Sequence, residues 1–220
     1  MKNILLFIIV FLTCYQYSYA KNEKYFLYKD YYFGMPLEEA RKINNATPCK
    51  DIDSDDYIDF LCFKNEQFSN SIFDAKLSFI NKKLYDVELK NKINILKTFG
   101  ESLSLISKKM PLCSYVDEHI YIDILAFKEN LKETIKSIFD MSDRAKTSTF
   151  IFFEQKHFKR GNDGKISAKN NTDILNDYPD YERIVLLTKN QNNICITFGT
   201  KINYFYILEY YNKIQNQRDF

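Results

Sequence analysis

The sequence predicts an α+β fold, an antiparallel sheet with helices packed on one face, with the helix-plus-sheet order recurring in two possible halves, 21–111 and 112–220, of one domain, 21–220. Apolar residues recur at helical spacing in some stretches and alternate with period two in others, in the order helix, strands, helix, strands. The 17 Tyr and 19 Phe, with no Trp, suit sheet faces, where aromatic rings bury large areas. The 5 Gly and 4 Pro are too few for a Gly-rich phosphate loop, a collagen-like repeat or a long flexible linker.

The elements follow in order. Gly34 permits a turn, Pro36 suits a helix start, and Glu38 and Glu39 favour the positive end of the helix dipole. The helix runs from Pro36 to about Asn44, with Leu37, Ala40 and Ile43 on one face. Asn45 to Asp56 is polar and acidic and reads as a loop. Tyr57 to Phe63 is a strand with Ile58, Phe60 and Cys62 on one face. Ala75 to Ile80 and Leu84 to Lys90 form a hairpin around Asn81-Lys82-Lys83. Ile93, Leu96, Phe99, Leu103 and Ile106 mark a second helix over Lys92 to Lys109, ending before Pro111. Glu118 to Phe127 reads as a strand, Lys128 to Asp140 as a third helix, and Thr147 to Glu154 as a strand. Lys156 to Asp180 is the most polar stretch and reads as a long loop. Glu182 to Thr188 and Asn193 to Phe198 are further strands, and Tyr204 to Tyr211 is a last strand or helix before a polar tail.

The N-terminus reads as an address. One positive charge at Lys2, an apolar run from Ile4 to Thr13 and small residues at Ser18 and Ala20 have the form of a secretory signal peptide over 1–20. A spanning helix needs roughly 20 apolar residues, and Cys14 to Ser18 interrupt the run. Lipidation at Cys14 is the lesser alternative, because Thr13 is bulkier than the residue usual before a modified Cys. The expected mature chain starts at Lys21, is exported to the periplasm or secreted, and has no transmembrane segment.

Lys and Arg number 31 against 29 Asp and Glu, a net charge of +2, which argues against a nucleic-acid partner. Export makes Cys49, Cys62, Cys113 and Cys195 candidates for disulfides. Four cysteines allow three pairings. Cys49 with Cys62 is favoured, since the chain between them reads as a turn-rich loop entering a strand; Cys113 with Cys195 follows by elimination. A catalytic thiol would need a base such as His119 or His157, and no local signature surrounds any of the cysteines.

The stretch Phe33-Gly34-Met35-Pro36-Leu37-Glu38-Glu39-Ala40 and the hairpin Leu77 to Val87 carry a resemblance. With the helix that contains Ile95-Leu96-Lys97 and ends at Met110-Pro111, they resemble exported bacterial domains of the small-protein-A and β-lactamase-inhibitor-protein types. The match covers roughly residues 31–111, and a Cys pair spaced like Cys49 and Cys62 is similar to that of the inhibitor type. The chain departs from the pattern in having no clear lipobox and no second Phe-Gly-Met opening. The resemblance implies a non-enzymatic domain that works by protein–protein contact in the envelope or outside the cell.

Asp51 to Asp56 alternates carboxylates as a calcium loop does, but Asp56 stands where Gly is needed and Cys62 where Glu is needed. It reads as a solvated acidic loop. The 2 histidines, His119 and His157, supply no zinc ligand pattern. Lys156, His157, Lys159, Arg160 and Lys165 form the densest basic cluster, a loop that could hold an anion or an acidic partner. No serine-hydrolase elbow is present. The sequence thus predicts an exported, non-catalytic binding or envelope-associated protein with an unidentified protein partner and no cofactor. The alternative is an exported hydrolase using a dispersed site with His119 or His157 as base.

Overall fold

The computed structural model describes residues 24–50, 58–124, 131–154, 183–201 and 203. Within them the chain forms strands β1 (Phe26–Tyr28), β2 (Tyr31–Tyr32), β3 (Thr47–Cys49), β4 (Ile58–Phe68), β5 (Ser71–Ile80), β6 (Lys83–Asn91), β7 (Leu112–Asp117), β8 (Tyr121–Asp123), β9 (Thr147–Phe153), β10 (Arg183–Asn190) and β11 (Ile194–Thr200). The helices are α1 (Leu37–Lys42), α2 (Ile95–Ser107) and α3 (Leu131–Arg144). Strands β1 and β2 pair separately, and the other nine form one antiparallel sheet in the order β3-β4-β5-β6-β11-β10-β9-β7-β8. The predicted 1–20 signal segment, the 156–180 loop and the 204–211 element lie outside the described residues.

The α+β class is overturned: the described chain is mainly β, one long sheet with three short helices. Strand content is undercounted in the sequence because polar residues interrupt the alternation. β4 continues past Phe63 through Lys64, Asn65, Glu66 and Gln67 to Phe68, with a register shift between Phe63 and Glu66. A bulge of this kind inserts a residue and breaks the period of two. β3 lies inside a stretch that reads as loop, and β7 precedes the predicted strand at Glu118.

A single layer of helices on one face also fails as a description, because buried residues line both faces. On β9 and β10, Phe150 faces Leu187 and Phe152 faces Val185 on the side of the main core. On the opposite side Ile151 faces Leu186 and Phe153 faces Ile184, and all four are buried as well. Consecutive apolar residues on both faces are the mark of a strand covered on two sides.

Local chemistry explains several elements. The Asn81-Lys82 turn has positive φ at both residues, 50° and 61°, which is the type I′ geometry that matches strand twist. Leu37 and Ala40 of α1 are buried, and Gly34 turns the chain at φ 79° before it. α2 keeps most of the face predicted for it: Phe99 and Ile106 are buried and Leu103 packs against the core, while Leu96 is 74% exposed and Ile93, which precedes the helix, is 70% exposed. Asn91 ties the segment before α2 to β5, donating to the Ile72 carbonyl (2.6 Å) and accepting from Ile93 N–H (2.7 Å). Ile72, 60% exposed, therefore lies close to Ile93.

Pairing of β6 with β11 joins the segments before and after residue 111. The strands β4-β5-β6 and β9-β10-β11 meet at that central pair in mirrored order.

Candidate ligand cleft

Five elements meet over the main face of the sheet and leave a concavity of about 220 Å³. The β1–β2 turn brings Tyr28 and Lys29, the end of β4 brings Phe68, and the last turn of α2 and its exit bring Leu105, Ile106, Lys109 and Met110. The start of β10 contributes Arg183 and Val185, and β11 contributes Phe198. The three rings pack on one another: Tyr28 and Phe198 centroids are 4.7 Å apart, and Phe68 and Phe198 5.8 Å in an edge arrangement.

Polar groups sit at defined positions on this apolar wall. Tyr28 Oη donates to Glu66 Oε1 at 2.7 Å, and Lys29 Nζ contacts the same oxygen. Burial first, and then the bond to Glu66, holds the Tyr28 phenol well above its usual range, so it remains a donor. Arg183 Nη2 donates to Glu154 Oε1 at 3.3 Å and Nη1 to the Leu27 carbonyl at 3.5 Å, while its Nε is buried with no hydrogen-bond partner among the described residues. Lys109 is exposed at the cleft, with no ion pair among the described residues.

None of these residues stands out in the sequence. Arg183 is a single cation at the start of an apolar run, and the residues that meet it range from Tyr28 to Phe198.

The sequence-predicted sites fare differently. Cys49 and Cys62 are joined, with Cα atoms 5.8 Å apart, across the β3–β4 pair. Cys113 and Cys195 are not joined, which corrects the second pairing. Cys113 is on β7 and Cys195 on β11, with β9 and β10 between them. Three interstrand steps of about 4.8 Å put them at least roughly 14 Å apart, twice the Cα separation a disulfide can bridge. Burial holds both thiols above their usual range, so they stay protonated.

His119 is exposed on the β7–β8 turn, with Nε2 3.9 Å from Glu118. The carboxylates beside it hold backbone. Asp117 Oδ1 accepts from His119 N–H (2.7 Å) and Ile120 N–H (2.9 Å), and Glu118 accepts from Lys146 N–H and Thr147 N–H. Burial opposes ionisation of Glu118, yet those backbone donors outweigh it and lower its pKa. Lys156, His157, Lys159, Arg160 and Lys165, and the Asp51–Asp56 loop, lie outside the described residues.

A second buried polar cluster lies across the sheet. Asp86 on β6 faces Ser78 on β5, and Asn203 Nδ2 donates to Asp86 Oδ2 at 3.3 Å. Asn203 Oδ1 accepts from Thr200 N–H at 2.8 Å, close enough to Gly199 that a Cβ there would collide with the amide. Burial, reinforced by Glu88 and only partly offset by Ser78, Lys76 and Asn203, pushes the Asp86 carboxyl up to about 6. The folded chain therefore binds more protons than the unfolded chain between about pH 4 and pH 6, and stability falls as pH rises through that window. Asp86→Asn is expected to flatten this slope and to raise stability at pH 7 by about 1–2 kcal/mol. Urea titrations from pH 4 to pH 8 measure it, and an unchanged slope would assign the titration to another group.

Comparison with protein-family models, curated proteins and solved structures yields no match.

Proposed function

We propose that this chain is an exported, non-catalytic binding protein that works in or near the cell envelope, with the cleft beside Arg183 as its ligand site. The observation that carries the reading is the cleft itself, aromatic and aliphatic walls with a few placed polar groups, which is the usual make-up of a small-ligand site. The volume lies just below the usual range for such sites, so the ligand is small.

Export is supported by the Cys49–Cys62 disulfide, a bond that persists in oxidising compartments. No described helix is long and apolar enough to cross a membrane. Contact with a partner at the envelope is supported by the exposed Ile72, Ile93 and Leu96. The resemblance of residues 31–111 to inhibitor-type and small-protein-A-type domains points the same way.

Against the hydrolase alternative stand the exposure of His119 and the engagement of Asp117 and Glu118 with backbone N–H groups. The test titrates an uncharged solvatochromic naphthalene dye against the purified, oxidised protein. Saturable binding is expected, lost in Leu105→Trp, which fills the cleft, and retained in the double variant His119→Ala/His157→Ala. Undiminished binding by Leu105→Trp would show that the cleft is not the site. Hydrolysis of a chromogenic ester abolished by the double variant would instead establish the enzyme. For the export half, the intact mass of protein secreted with its own N-terminus is expected to begin at Lys21; a retained Met1 would refute it.

A further inference from the structure

The cleft is selective in charge, and the inference drawn from that rests on the reading that the cleft binds a ligand. Three cations reach it, Lys29, Lys109 and Arg183. Two of them meet a carboxylate, Lys29 with Glu66 and Arg183 with Glu154. The third, Lys109, is exposed at the cleft and has no acidic partner among the described residues. Among the described residues, the balance of three positive charges against two negative leaves a place for one more negative charge.

The rest of the wall is apolar: Phe68, Leu105, Ile106, Met110, Val185 and Phe198. Tyr28, kept protonated by burial and Glu66, adds a ring face without adding charge. A hydrophilic anion such as free phosphate would leave these surfaces uncovered. A neutral apolar molecule would leave Lys109 without a counter-charge.

We infer that the cleft binds an anionic amphiphile, a single acidic head on a short apolar body, with the head beside Arg183 and Lys109 and the body against Phe68, Met110 and Phe198. Arg183 lies on a strand inside the sheet, and its guanidinium is already oriented by Glu154 and the Leu27 carbonyl. An oriented guanidinium loses little freedom when it takes up an acidic group. Lys109 follows the end of α2, where a cation also offsets the negative end of the helix dipole.

Isothermal titration of the oxidised full-length mature protein tests this with octanoate, octyl phosphate, 1-octanol and octylammonium. Octanoate or octyl phosphate is expected to bind at least about tenfold more tightly than octanol, and octylammonium more weakly than octanol. The tighter of the two anions identifies the head as carboxylate or phosphate. Lys109→Gln, an exposed change with little bearing on folding, is expected to weaken the anion by about three- to tenfold, and Arg183→Gln by about tenfold or more, with octanol unchanged in both. Equal binding of octanol and the anions, or unaltered anion affinity in Lys109→Gln and Arg183→Gln, would overturn the charge inference while leaving the cleft as a binding site. Failure of all four compounds to bind would overturn this inference alone if the naphthalene dye still binds, and the cleft reading with it if the dye does not.

Discussion

Phe150→Ala is expected to destabilise the protein by about 4 kcal/mol, within the range for truncating a fully buried aromatic ring. Phe150 is completely buried on β9, and its ring is shared by three neighbours from different elements. Phe99 of α2 lies 5.3 Å away, Tyr115 of β7 5.3 Å away in an edge arrangement, and Phe139 of α3 stacks at 5.7 Å. Removing the ring therefore leaves a void bordered by two helices and two strands, none of which can close it without moving the others. Phe150→Leu, which keeps much of the volume, is expected to cost about 1–1.5 kcal/mol. Urea denaturation of both variants measures the difference. A loss below about 2 kcal/mol for the alanine variant would show that the surroundings collapse onto the gap, and that the ring does not seat the helices.

The second large effect belongs to the disulfide. Cys49→Ser/Cys62→Ser is expected to cost about 3 kcal/mol, the chain-entropy value for a loop of this size. The bridged residues are 13 apart in sequence. The loss should be concentrated at β3, whose Thr47, Pro48 and Cys49 pair with Cys62, Leu61 and Phe60. Thermal melts of the parent with and without dithiothreitol, beside the double-serine variant, make the comparison. The reduced parent should melt with the variant, and coincidence of all three curves would mean that the bridge contributes nothing. Amide exchange at Thr47 and Cys49 should quicken in the variant, while exchange at Leu77 and Val87 should hardly change.

Both changes act where the sequence is legible to different degrees. The hairpin around Asn81-Lys82 was readable because its turn chemistry and flanking alternation are local. The Cys49–Cys62 bridge was readable for a similar reason, since short separation and adjacent strands go together. The pairing of Cys113 with Cys195 was a matter of elimination, and it failed because their distance depends on the order of strands across the sheet. Class was misjudged where polar residues such as Lys64 and Asn65 sit inside long strands. Phe99, Leu103 and Ile106 of the predicted α2 face do meet the core, whereas Ile93 stands before the helix and Leu96 in its first turn is exposed, although both fit the apolar spacing. The cleft was invisible altogether: Lys29, Lys109 and Arg183 become neighbours only when β1, α2 and β10 converge.

The two ends of the nine-stranded sheet bear on how this protein avoids polymerising with itself. Both terminal strands, β3 and β8, are three residues long, whereas β4 beneath β3 runs for eleven. A long strand with unpaired N–H and C=O groups is a template for lateral growth, and a short one is not. β3 carries Pro48 at its centre, which has no N–H to give a second chain. The bridge to Cys62 prevents this cover from peeling away. Chains denied the Cys49–Cys62 bond during export would leave β4 open to strand-to-strand stacking, so oxidation here guards against aggregation as well as against unfolding.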